Sequence, residues 1–293
     1  MIIWLASYPK SGNTWIRTII NELLYTNNDI DNVFNNTSKN LRQFPVYSDF
    51  NESFEFTSKD RTEIVKQKLI NKTIKSWIIL QNKINQDKKI KLFKTHNLLG
   101  KFKIENQEYS FTNLENTIGV IHIVRDPRSI ITSLKNHFSL NSEEEAKEMI
   151  LDEKTWSGLK YKKSVPNYFS SWSHHYNSWK RFPKNNLLIR YEDILENPEN
   201  EIRKISVYLR KFFHFEIDEK RIFDIIEKTS FKNFKRNEEN GKFYENVMDI
   251  NHEKKVPFFF LGPGNNWKKL LKHKTVSDIE YKFENEMKEL GYI

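Results

Sequence analysis

The segment Tyr8-Pro9-Lys10-Ser11-Gly12-Asn13-Thr14-Trp15 puts a cation, two hydroxyls and a glycine into one short loop. Lys10 supplies charge, and Ser11 and Thr14 supply hydroxyls. Gly12 lets the backbone come close to a ligand. A helix opening at Thr14 would aim its free N–H groups and its dipole at the same place, which makes an anion cradle. An ordinary polar turn between a strand and a helix would read the same way. The loop is not a G-x-x-x-x-G-K-[ST] motif, because Ser7 and Asn13 stand where that motif needs Gly and Lys.

Arg125 and Ser133 are the second candidate anion site. They stand eight residues, about two helical turns, apart. The guanidinium is a planar fork suited to phosphate oxygens. Alone, the pair also fits a surface Arg and a helix Ser. His96, after Lys94-Thr95, could accept a proton near neutral pH, although a lone His is more often structural. Trp15, Tyr191 and Phe231 are each, taken alone, best read as core packing.

These residues need elements to hold them. Ile2–Ser7 reads as a buried strand, and Trp15, Ile16, Ile19, Ile20, Leu23 and Leu24 recur at helical spacing behind it. Further strands are expected at Lys91–Lys94, Ile118–Val124 and Leu187–Arg190. Helices are expected at Lys59–Lys83, Ser129–Phe138, Phe169–Phe182, Asn200–Phe213, Asp218–Thr229 and Val276–Leu290. Ile64, Leu69, Ile74, Ile78 and Ile79 are the apolar members of the first of these helices. Thr26 to about Asn51 reads as loop. Alternating strands and helices predict an α/β fold with a mainly parallel central sheet flanked by helices. Ligands then bind outside the carboxyl ends of the strands. Lys10-Ser11, Thr95-His96, Arg125-Asp126 and Tyr191-Glu192 sit at those ends.

The 293 residues are read as one domain over 1–293, with acceptor-side caps at about 26–60 and 139–166. The second cap holds an acidic run, Glu143–Glu145, and a basic run, Lys160–Lys163. There is no cysteine, which excludes disulfides, thiolate metal sites and a cysteine nucleophile. Lys plus Arg is 48 and Asp plus Glu is 39, so the net charge is +9, which suits an anionic partner, although a compositional bias alone explains it better at this stage. Aromatics at 14% argue against disorder. No apolar run is long enough for a membrane span, and Met1–Lys10 lacks the basic start of a signal peptide, so a cytoplasmic address is expected.

In wording, Tyr8–Trp15 resembles the 5′-phosphosulfate loop of the cytosolic-type sulfotransferases, which use 3′-phosphoadenosine 5′-phosphosulfate (PAPS). Asn13 stands where that family usually has Thr. The Arg125–Ser133 pair is similar to the family's 3′-phosphate site. Lys94-Thr95-His96 resembles its strand end carrying the general base, with Asn97-Leu98 in place of Leu-Pro. Leu188–Asp193 resembles the family's strand ending in Tyr-Glu-Asp, and Thr229-Ser230-Phe231 its segment beside the adenine. Near the end, Phe260-Leu261-Gly262 to Trp267 aligns with an Arg-Lys-Gly segment followed by a Trp. Phe260 and Leu261 therefore replace two cations, for which Lys254, Lys255 or Lys268 could substitute. The family's dimer motif is only partly echoed from Lys274-Thr275-Val276 to Glu280, with Leu271 in place of its first Lys.

The resemblance implies a P-loop-like sulfotransferase fold, expected in a bacterial member, and in-line sulfuryl transfer to a hydroxyl or amine. His96 would be the base, Lys10 would meet the leaving phosphate and Lys94 the transferring group. Lys10, Ser11, Gly12, Asn13, Thr14, Trp15, Arg125, Ser133, Tyr191, Thr229, Phe231 and Gly262 would hold the donor, with no metal. The acceptor would be a small molecule, lipid or glycan, and the protein a monomer or homodimer. Phe34, Phe44, Tyr47, Phe50, Phe54, Phe56, Phe138, Trp156, Tyr161 and Tyr168 could line its pocket, or simply be core. Two other readings compete. A small-molecule kinase would use Lys10 and Asp126 with ATP and Mg²⁺. A basic nucleic-acid-binding protein would use the charge alone, although no motif for it is present.

Overall fold

A computed structural model describes residues 1–25, 33–50, 62–159, 164–243, 245, 247–248 and 255–293. Phe54, Phe56, Tyr161, Lys254 and the basic run Lys160–Lys163 lie outside them. Four strands form one parallel sheet in the order Lys91–Thr95, Ile2–Ser7, Thr117–Val124, Asn186–Arg190. This is the expected α/β architecture, with each strand within a residue or so of its expected span.

Ile2–Ser7 is buried along its whole length because helices cover both faces of the sheet. Its side chains alternate between two cores. Ile3 and Leu5 meet Ile16, Ile19, Ile20 and Leu23 of the helix Asn13–Leu24. Ile2, Trp4 and Ala6 meet Phe44, Trp77, Phe111 and Trp179 on the other side. Trp4 is fully buried, and its indole N–H donates to Thr117 Oγ1 at 2.9 Å. A third core gathers Tyr8, Ile130, Ile131, Phe169, Trp172 and Tyr176 with the C-terminal Ile279, Phe283 and Met287. Trp172, Tyr176 and Trp179, spaced as a helical stripe, are packing residues of the helix Trp172–Lys180.

Some expectations differ from the structure. Val33–Asn40 is a helix within the span read as loop. Its polar sequence gives little local signal, and Phe34 anchors it by packing on Phe234, Phe243 and Phe259. Glu143–Glu145 opens the helix Glu143–Leu151, where Ser142 accepts from the Glu145 N–H at 3.1 Å and the acids face the positive end of the dipole. Ile64 and Ile79, expected among the apolar members of their helix, are exposed on Glu63–Ile84, whose buried face carries Trp77 instead. The tail is two helices, His273–Lys282 and Glu284–Glu289, because Phe283 turns inward between them against Trp172. A hairpin, Lys101–Ile104 with Gln107–Ser110, was not anticipated.

Candidate active site

The strand registers place the four chemistry-bearing ends side by side. Ala6 pairs with Thr95, Ser7 with Ile123, and Val124 with Arg190. The residues that follow each strand open onto one cavity of about 590 Å³. Lys10, Gly12, Asn13, Thr14, Trp15, Lys94, His96, Arg125, Ser133, Tyr191, Thr229, Phe231 and Gly262 all line it. Ser11 does not. Its side chain is fully buried behind the loop, and its hydroxyl has no hydrogen-bond partner among the described residues.

The loop conformation is specific. Lys10 has φ 65° and Gly12 φ 94°. Gly12 caps the helix Asn13–Leu24 without a side-chain bond, so the first N–H groups are left to the loop side. A Cβ on Gly12 would lie 2.6 Å from Tyr191 Cδ2, so the aromatic ring also requires glycine here. Asn13 acts differently from expectation. Its amide donates to the Leu5 carbonyl and to Ser7 Oγ, both at 3.1 Å, and so ties the loop to its strand.

Arg125 donates to the Lys10 carbonyl at 3.0 Å, and its guanidinium lies 4.0 Å from the Tyr191 ring centroid. Among the described residues, its buried Nε–H has no partner. Tyr191 meets Trp15 edge-on at 5.6 Å. The Thr229 hydroxyl is engaged with the Ile225 carbonyl at 2.8 Å. Gly262, at φ 51°, allows Phe231 to pack against it, since a Cβ there would come within 2.3 Å of the ring. Asn265 fastens this segment by bonding Thr132 Oγ1 at 2.9 Å and the Ser129 carbonyl at 2.7 Å. A more open hollow beyond Gly262 shares Arg125 and Tyr191 and reaches Lys268; Lys255 is exposed.

Burial dominates the electrostatics. Burial, together with the Lys94 and Arg125 charges, pushes Lys10 down to about 7. Burial lowers Lys94 to about 8, against the pull of Glu245. His96 was expected to titrate near neutrality, but burial and the neighbouring Lys94 push it to about 3. Its Nδ1 lies 2.7 Å from the Ser7 carbonyl oxygen, which only accepts. Nδ1 therefore carries the proton, and Nε2 keeps its lone pair.

Sequence reasoning missed three residues. Arg17 and Lys94 share Glu245, the former in a short ion pair and the latter at 4.0 Å. Burial opposes ionisation of Glu245, but these two cations hold it down at about 2. Arg17 was visible as the one cation of the helix Asn13–Leu24, whereas Glu245 carries no local signal. His137 also lines the cavity, and its four-residue spacing from Ser133 puts both on one helical face.

Buried donors with no partner among the described residues, an open helix N-terminus and several cations around one cavity fit an anionic ligand of nucleotide size. Among the described residues, no group of three or more His, Asp or Glu side chains could hold a metal ion. None of the described helices is long and apolar enough to cross a membrane.

A family profile described as "Sulfotransferase domain" matches residues 2–291. Rat (Rattus norvegicus) Sulfotransferase 1A1 is 26% identical over 59% of this chain and 61% of its own length, so the match spans less than two thirds of that protein. Mouse (Mus musculus) Sulfotransferase 1 family member D1 is 25% identical over 97% of this chain and 81% of its own. Among solved structures, mouse sulfotransferase SULT7A1 complexed with PAP shares the fold at a TM-score of 0.59 and 18% identity, over 98% of this chain and 84% of the other. Retinol dehydratase in a complex with retinol and PAP does so at 0.58 and 17%, over 98% and 81%.

Proposed function

The chain belongs to the sulfotransferase-domain family, and from that premise we propose that it transfers a sulfuryl group from PAPS to a hydroxyl or amine of a small-molecule, lipid or glycan acceptor. The observation that carries the reading is one cavity that holds the Lys10–Trp15 loop, the Arg125–Ser133 pair and His96 together. The relatives of the same fold that were solved with PAP support it. We read residues 1–293 as one domain; of the expected acceptor-side caps at about 26–60 and 139–166, residues 26–32, 51–60 and 160–163 lie outside the described residues.

PAPS, when bound, supplies the activated sulfuryl group. Gly12 and the first N–H groups of Asn13–Leu24 would hold the 5′ end. Arg125 and Ser133 would hold the 3′-phosphate, and Trp15, Tyr191, Thr229 and Phe231 would hold the base. Gly262 adds a backbone N–H where Phe260 and Leu261 bring no charge. His96 Nε2 removes the acceptor's proton, while the Ser7 carbonyl keeps the ring in the right tautomer. Lys10 and Lys94 place positive charge where negative charge develops. An anion brought against these cations relieves their mutual repulsion, and raises the proton affinity of His96 as well.

The test is a thermal-shift titration with adenosine 3′,5′-bisphosphate, run beside ATP with Mg²⁺. At about 100 times its dissociation constant the bisphosphate adds roughly 2.7 kcal/mol. Stabilisation without metal that disappears in Arg125→Ala is the expected result. Stabilisation by ATP with Mg²⁺ alone would overturn the reading in favour of a kinase.

A further inference from the structure

His137 is a polar group that the proposed mechanism does not use. It is the last residue of the helix Pro127–His137 and lines the same cavity as His96. The rings around it are apolar. Phe138 lies 4.9 Å away, edge-on, and Phe258 lies 5.9 Å away at 84°. Phe258 in turn carries the Lys10 ammonium 3.7 Å from its centroid, so His137 stands one ring away from the reacting end of the cavity. Asn136 holds this corner by donating to the Pro257 carbonyl at 2.8 Å. No hydrogen bond to either His137 ring nitrogen is found among the described residues.

The titratable groups that act on His137 are Lys10, Lys94 and His96, which lower its proton affinity, and Glu245, which raises it. Burial and the first three hold the imidazole well below its ordinary value, so it is neutral and offers one donor and one acceptor. An acceptor molecule that fills the cavity strips water from this ring. A wholly apolar body would then leave the ring unpaired, and sites that lose such a partner discriminate strongly against the apolar analogue.

We propose that His137 is a specificity-determining residue that hydrogen-bonds a second polar group on the acceptor, so that this chain prefers acceptors bearing a hydroxyl or amine beside the nucleophile, as in a vicinal diol or amino alcohol, over those with an isolated hydroxyl. The proposal rests on the sulfuryl-transfer reading above. It assigns His137 no part in the proton transfer at His96.

The test compares catechol with phenol. Their affinities are measured by calorimetry in the dead-end complex with adenosine 3′,5′-bisphosphate, and their kcat/KM values with PAPS. The wild-type catechol-to-phenol preference should fall about 10- to 100-fold in His137→Phe, mostly through KM, and be largely kept in His137→Gln. Using the ratio cancels the intrinsic reactivity of the two phenols. A ratio that is unchanged in His137→Phe, or no binding of either phenol to the bisphosphate complex, overturns this inference and leaves sulfuryl transfer standing. Failure of the bisphosphate itself to bind overturns both.

Discussion

Donor binding should take up protons, and the structure sets how many. Without an anion, Lys10 sits at about 7 and Lys94 at about 8. Burial of the two ammonium groups is the main cause in each case, and in Lys10 the nearby cations add to it. A multiply charged anion placed against them favours their protonated forms, so both titrate above the working range in the complex. Above pH 7 the ligand phosphates are already ionised. The uptake is then the neutral fraction of the two lysines, ~0.6 proton at pH 7, ~1.0 at pH 7.5 and ~1.7 at pH 8.5. Linkage gives the sign. Binding that takes up protons weakens as pH rises, so affinity should fall ~60-fold between pH 7 and 8.5. Calorimetry of adenosine 3′,5′-bisphosphate binding in buffers of different ionisation enthalpy reads the uptake directly. Lys10→Ala should remove the larger share at pH 7 and leave ~0.1 proton there. Uptake near zero across this range would refute the argument, since it would mean that the lysines are charged before the anion arrives.

Three further outcomes follow from single contacts. His96→Ala should lower kcat by about 10²- to 10⁴-fold while bisphosphate affinity, read by the same calorimetry, stays within a few fold. Gly12→Ala forces a Cβ to within 2.6 Å of Tyr191 at a left-handed φ, so it should destabilise the protein by about 1–3 kcal/mol in denaturant unfolding and abolish the bisphosphate thermal shift. Phe260→Arg with Leu261→Lys puts two cations beside Gly262 and should tighten bisphosphate binding in calorimetry, by more at low salt than at high salt.

The candidate site was legible in the sequence because its parts are local. Lys10 and Gly12 lie in one loop fixed by a strand on one side and a helix on the other. Arg125 and Ser133 are related by helical spacing, and His96 and Tyr191 each end a strand. Residues whose role depends on distant neighbours were harder to place. Val33–Asn40 is helical because Phe34 finds three phenylalanines from elsewhere in the chain, and its own residues are weak helix formers. Ile64 and Ile79 are apolar yet exposed, because helix Glu63–Ile84 buries the face that carries Trp77.

Strand periodicity, turn residues and loop chemistry are local properties, and the sequence by itself determined the parallel α/β architecture and the residues at each strand end. The distances between those ends depend on strand order and register, which only the tertiary structure decided. That order brings Lys10, Lys94 and Arg125 close enough to depress the Lys10 proton affinity. It also places His96 beside the Ser7 carbonyl, Glu245 between Arg17 and Lys94, and His137 in the same cavity. Charge and hydrogen-bond effects fall off over a few ångströms and are amplified by burial, so they belong to the packed arrangement and not to any stretch of the chain.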